Sequence, residues 1–238
     1  GPVSDYITDF VIFREVTDWK EVRKDFLRPE IRSVQEYNRE LRDGVERASK
    51  YLEGCQTVPS VRELETAHRL MFERLYTDAG RLRLEGKQSE IEGQKASPSE
   101  EVARHLVELE KNSRRDFARR GIEERLQAAC LHHAGMEMIR PFESGNEEVS
   151  RLVLADQLRK EFGGEVGRNL DELDKRAYVS ARDQARTLGQ EGSTLVPLKV
   201  FTTDFSRQTL QVEAERVEKK MQQAVAELEY KSKQVTIH

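Results

Sequence analysis

Apolar residues recur three or four apart over most of this chain, and that spacing predicts helices. A short helix is expected from Asp18, carrying Trp19, Val22 and Phe26. After Pro29 a longer one places Ile31, Val34, Leu41, Val45, Ala48 and Leu52 on one face and stops at Gly54. A third opens at Ser60 and runs to about Asp78, with Val61, Leu64, His68, Met71, Phe72 and Leu75 inward and Gly80 as its stop. Further helical patterns cover about 99–111, 122–138, 146–162 and 170–187, with Gly-rich breaks at 163–167 and 189–192. Two stretches depart from the period. Residues 5–14 and the run Leu195 to Phe201 are rich in β-branched and aromatic side chains and read as short strands that could pair, with Pro197 at an edge. Residues 81–99, with Gly86, Gly93 and Pro98, suit an extended hairpin.

The last segment, about 205–232, spaces Leu210, Ala214, Val217, Met221, Ala224 and Leu228 alternately by four and three. Such a seam packs along another helix, either in this chain's own core or in a second copy or partner.

Composition narrows the class. Charged residues make up 35% of 238, and no apolar run approaches the roughly 20 residues of a membrane span, so a helix-rich chain without a membrane partner is expected. A net charge of −4 argues against a nucleic-acid partner, which needs a clustered basic surface; the run Lys111, Arg114, Arg115, Arg119, Arg120 reads as a solvated face. Cys55 and Cys130 form neither a disulfide framework nor a C-x-x-C pattern, so reduced thiols in the cytoplasm are expected. Gly1-Pro2 reads as the scar of a cleaved tag.

The chemistry concentrates in Ile139-Arg140-Pro141-Phe142-Glu143-Ser144-Gly145-Asn146-Glu147-Glu148-Val149-Ser150-Arg151, a turn that feeds a helix. Free N–H groups and the dipole make such a helix start an anion cradle. The stretch resembles the Fic family signature H-P-F-x-[D/E]-G-N-G-R-x-x-R. Ala128 to His133 is similar to the family's preceding helix, His68 to Phe72 with Ala79-Gly80-Arg81-Leu82-Arg83 to its helix and A-G-x-x-R turn, and Tyr178 to Ala181 with Pro197-Leu198 to its closing segments. The resemblance implies a mainly α Fic-type helical bundle with a short β-hairpin flap, a core at 59–200, an N-terminal extension at 3–58 and a C-terminal helix at 201–238. In active members it implies transfer of AMP or a related group to a hydroxyl, with a His as base, an acidic residue holding Mg²⁺, and Arg residues neutralising the phosphates.

Against that pattern the motif is degenerate. Arg140 stands at the base position and stays protonated. His132 and His133 lie about 10–12 Å upstream along a helix and read as structural. Ser144 stands at the metal position, with Glu143 one place earlier, so no metal site is expected. Glu147 and Glu148 replace a Gly and an Arg and would repel phosphates. Glu147 and Arg151 form an i,i+4 pair that could close the site permanently. Gly145, Asn146 and Arg151 match retained positions: either a residual anion site, or a turn glycine and a helix cap.

Thr209 to Glu213 gives only a partial match to the family's inhibitory T-x-x-x-E motif, because Ala214 follows. The flap, at Arg83 and Ser89, Glu90, Ile91, Glu92 and Gly93, resembles a target-docking hairpin that an extended partner segment can join as a strand. The expectation is a catalytically inactive interaction module with a protein partner and no cofactor, able to dimerise through the C-terminal helix. The alternatives are an enzyme of altered chemistry, with Glu143 or Glu148 as base, Arg140 as phosphate ligand and a nucleotide (ATP with Mg²⁺) or another phosphate-bearing donor, and a component of a toxin–antitoxin-like pair.

Overall fold

The computed structural model describes residues 2–84, 90–91, 94–119, 121–162 and 221–234. Six helices dominate: α1 (Pro2–Val11), α2 (Val34–Glu53), α3 (Val61–Phe72), α4 (Val102–Phe117), α5 (Ile122–Ile139) and α6 (Asn146–Phe162). Two two-residue strands, β1 (Glu90–Ile91) and β2 (Gln94–Lys95), pair antiparallel with Glu90 opposite Lys95. α6 is the hub, packed against α5, α1, α2 and α3, while α2 lies along α3 and α4 along α5. Its stretch Val149, Leu152 to Ala155 and Leu158 is buried almost completely, which explains why a helix with little one-sided patterning forms here: it has neighbours on all sides.

Helix starts follow the capping chemistry. The Ser33 hydroxyl accepts from Glu36 N–H at the start of α2. Ser60 and Glu63 make a full capping box at α3, worth about 1 kcal/mol.

Three expectations are corrected. Residues 5–14 do not form a strand: α1 takes residues up to Val11, because Ile7, Phe10 and Val11, at i, i+3 and i+4, bury on the helical core and override their β propensity. Only a single 3₁₀ turn, Trp19–Glu21, forms in the second segment; Phe26 has φ 63° and is 48% exposed, so it sits outside any helix. α3 stops at Phe72, and Leu75 is buried from the turn that follows. Leu195 to Phe201, the patterns at 170–187, Tyr178 to Ala181 and Thr209 to Glu213 lie outside the described residues. Of the terminal helix, residues 221–234 are helical and exposed throughout, with Met221 at 64% and Leu228 at 67%; this part of the seam does not pack on the chain's own core.

The α2–α3 crossing needs a glycine. A Cβ on Gly44 would stand 1.9 Å from the Met71 carbonyl oxygen, a backbone atom that no rotamer change can move away. Gly44→Ala is therefore expected to lose about 3 kcal/mol or more, at the upper end of overpacking, read as a lowered urea midpoint; an unchanged midpoint would mean that the helices separate without cost.

No helix among the described residues is long and apolar enough to cross a membrane.

Candidate functional site

The loop between α5 and α6 is held by the residues around it. α5 ends at Arg140, which takes a left-handed conformation (φ 49°, ψ 66°) while its N–H still reaches the Met136 carbonyl at 3.0 Å. The Arg140, Ile139 and Ser97 carbonyls all accept from the buried Arg83 guanidinium. Arg83 N–H donates to the Pro141 carbonyl at 2.8 Å, and Leu82 bridges to Phe142 as one antiparallel pair. Arg83 thus anchors the segment after α3 to the motif loop, and its side chain is buried. Glu90 and Ile91 lie in β1; Ser89, Glu92 and Gly93 fall outside the described residues.

Phe142 is fully buried, with its ring stacked 3.9 Å from His68 at an interplanar angle of 16°. Asn146 clamps it: Phe142 N–H donates to Asn146 Oδ1 at 2.9 Å, and Asn146 Nδ2 donates to the Phe142 carbonyl at 2.7 Å. The amide is spent backwards on the loop rather than capping forward into α6. Gly145 has φ 77°, and a Cβ there would lie 2.3 Å from the Phe72 ring, so both the turn and the packing require glycine.

His68 ties the turn to α3. Its Nδ1 accepts from Gly80 N–H at 2.8 Å, which places the ring proton on Nε2, 2.8 Å from the Ser144 carbonyl. Burial pushes its pKa down to about 4, so the ring is neutral at physiological pH. The side chains of His132 and His133 are buried against α6. His133 Nδ1 lies 2.7 Å from Ser150 Oγ, and His132, pushed down to about 3 by burial and then by its neighbour His133, faces Gln157. Neither faces the motif turn as a base would.

At the start of α6 the charged groups are held by partners within the chain. Arg151 is buried, and both its Nε and Nη2 donate to the Val11 carbonyl, at 2.9 and 2.7 Å. The carbonyl end of α1, where the helix dipole is negative, occupies the guanidinium that a phosphate would need. Glu147 adds a peripheral contact, 3.9 Å from Arg151 Nη1. Glu148 keeps part of its surface open, yet burial pushes its carboxyl pKa up, against the pull of Arg151. Nucleotide phosphates with Mg²⁺ do not fit this set: the Ser144 carbonyl and the Asn146 amide bond within the chain, Arg151 already holds a carbonyl, and two carboxylates stand in the first turn. No group of three or more His, Cys, Asp or Glu side chains able to hold a metal occurs among the described residues.

Gly145 lies in the turn, Asn146 opens α6 and Arg151 sits within it, and what holds each of them is not visible in the sequence. The Val11 carbonyl partner carries no sequence signal, being a main-chain atom. The roles of His68 and Arg83 were hinted at only by the apolar face of α3 and the A-G-x-x-R turn.

Comparison with known proteins agrees with this architecture. Residues 59–158 match the Fic/DOC family pattern. A Fic domain-containing signaling protein from Bacteroides thetaiotaomicron shares the fold at 15% identity and a TM-score of 0.58, covering 88% of this chain and 85% of that one. BepC of Bartonella tribocorum, a VirB-translocated effector solved with bound AMPPNP, does so at 16% identity and a TM-score of 0.54, covering 76% and 96%. Fic-1 (residues 134–508) from C. elegans gives 16% and 0.54, covering 92% and 64%. No curated protein sequence matches the chain. Residues 59–158, which hold the motif turn between α5 and α6, form a Fic/DOC family segment, and the chain shares the fold of these Fic-domain structures.

Proposed function

We propose that this chain is a non-catalytic member of the family, a regulatory or interaction module whose nucleotide site is closed from within. The observation that carries the reading is the pair of hydrogen bonds from Arg151 to the Val11 carbonyl. The one arginine retained from the motif, on α6, is held by the last carbonyl of the chain's own α1, and the base position of the loop before α6 holds Arg140. The strand pair β1–β2 and the exposed helix at 221–234 are the surfaces this reading offers to a protein partner, and two cysteines that form no disulfide suit a reducing, cytoplasm-like compartment.

AMPPNP in BepC names the ligand class for the test. Calorimetric titration of ATP into the full chain, with and without Mg²⁺ and up to millimolar ligand, is expected to give no saturable heat. Mg²⁺-dependent micromolar binding would overturn the closed site and favour altered chemistry. The Glu148 carboxyl, whose pKa burial pushes up, is the observation that keeps that second reading in view, because a carboxylate made more basic by burial is suited to take a proton. Its own test is labelled transfer from a nucleotide to protein in a lysate that disappears in Glu148→Gln.

A further inference from the structure

The outward face of α3 is polar along its whole length, with Arg62, Glu65, Thr66 and Arg69 at i, i+3, i+4 and i+7 and Glu73 just beyond. Chain segments carrying Arg28 on one side and Ala79 to Arg81 on the other rise beside this face and wall a groove of about 590 Å³. Four guanidinium groups line it against two carboxylates. Of the two carboxylates, Glu73 is paired with Arg69 at 3.1 Å, which leaves Glu65, one turn along α3 from Arg62. Arg28 spends its Nε on the Glu73 main-chain carbonyl. Arg62 and Arg81 are exposed, and neither has a carboxylate within ion-pair distance among the described residues. A local positive excess on a chain of net charge −4 is not a property of the bulk surface.

We propose that this groove binds an extended acidic segment of a partner protein, its carboxylates meeting Arg62, Arg69 and Arg81. Spacing decides for a chain over a single phosphate. Arg62 and Arg69 lie seven residues apart on α3, about 10 Å along the axis, a distance that an extended chain crosses in about three residues. Donors strung out in this way match successive carboxylates of an extended chain, and the groove volume lies within the ordinary range for ligand sites. The wall at Gly80 is also wired to the motif loop, since Gly80 N–H donates to His68, which holds the Ser144 carbonyl. A bound segment leans on the same turn whether or not that turn handles nucleotides, so the inference stands apart from the closed-site reading.

The test is fluorescence anisotropy of fluorescein-labelled hexaglutamate with the full chain at low salt. Saturable binding is expected, weakened at least tenfold in Arg62→Glu/Arg81→Glu and little changed in Arg115→Glu/Arg119→Glu, which removes the same charge from the exposed face of α4 and the turn after it. Both pairs are exposed, and circular dichroism checks that the variants stay folded. Absence of saturable binding, or equal loss in the two double variants, overturns the proposal. Displacement of the peptide by inorganic phosphate at equal concentration also overturns it, by assigning the groove to a phosphate.

Discussion

Asn146→Ala is expected to lower stability by about 4 kcal/mol, measured as the free energy of urea unfolding at pH 7.5. The amide contacts both polar groups of one fully buried residue, accepting from Phe142 N–H and donating to the Phe142 carbonyl. Each group left buried without a partner costs about 1–3 kcal/mol, and removing the side chain strips both at once. Asn146→Asp keeps the acceptor and loses the donor, so a loss of about half that size is expected. Equal stability of all three proteins would show that water replaces the amide without cost. The result bears on function: an asparagine that binds the loop this tightly is kept by the fold itself, with no need of a phosphate ligand.

The same division between what a residue type announces and what the backbone supplies explains which parts of the protein were legible. α2, α5 and α6 stand within a few residues of their expected ranges and α3 starts where expected, because Ser33, Ser60 with Glu63, and Gly54 carry local capping signals and the apolar spacing is dense. α1 was misread from the same letters. Ile7, Thr8, Val11 and Ile12 favour strands by propensity, and only burial against the other helices, absent from local sequence, reverses that preference. Phe26 in a left-handed conformation has no signature of its own, and it breaks the helix expected through it.

At the site, the turn and the Glu147–Arg151 pair were visible as spacing. The pair is nevertheless long, at 3.9 Å, and two shorter bonds go to a carbonyl 140 positions away. Arg83 repeats the pattern, with its guanidinium on the carbonyls of Ser97, Ile139 and Arg140. Guanidinium groups that hold main-chain oxygens are set by tertiary packing, and no residue identity at the accepting end encodes them.

Acid sensitivity between pH 7.5 and 5 is the second large effect expected, and it arises from His68 and His132. Burial pushes their pKa values down to about 4 and about 3, from an ordinary 6.5. Above pH 6.5 both rings are neutral in the folded and unfolded chain, and neither penalises folding. Below it the unfolded chain takes up protons that the fold refuses, so stability is lost as pH falls, by about 1.4 kcal/mol per pH unit for each ring until its folded value is reached. At pH 5 the two together remove roughly 4 kcal/mol. Glu148 and Asp156, whose carboxyls burial pushes up, work in the opposite sense and blunt the total. The informative quantity is therefore a difference between proteins. His68→Gln, with an amide able to donate to Ser144 and accept from Gly80, is expected to reduce the loss between pH 7.5 and 5 by roughly 2 kcal/mol relative to the parent chain. An unchanged loss would mean that His68 accepts its proton while folded. That proton would have to go to Nδ1, where it meets Gly80 N–H donor to donor, so the strap between α3 and the motif turn would already have opened.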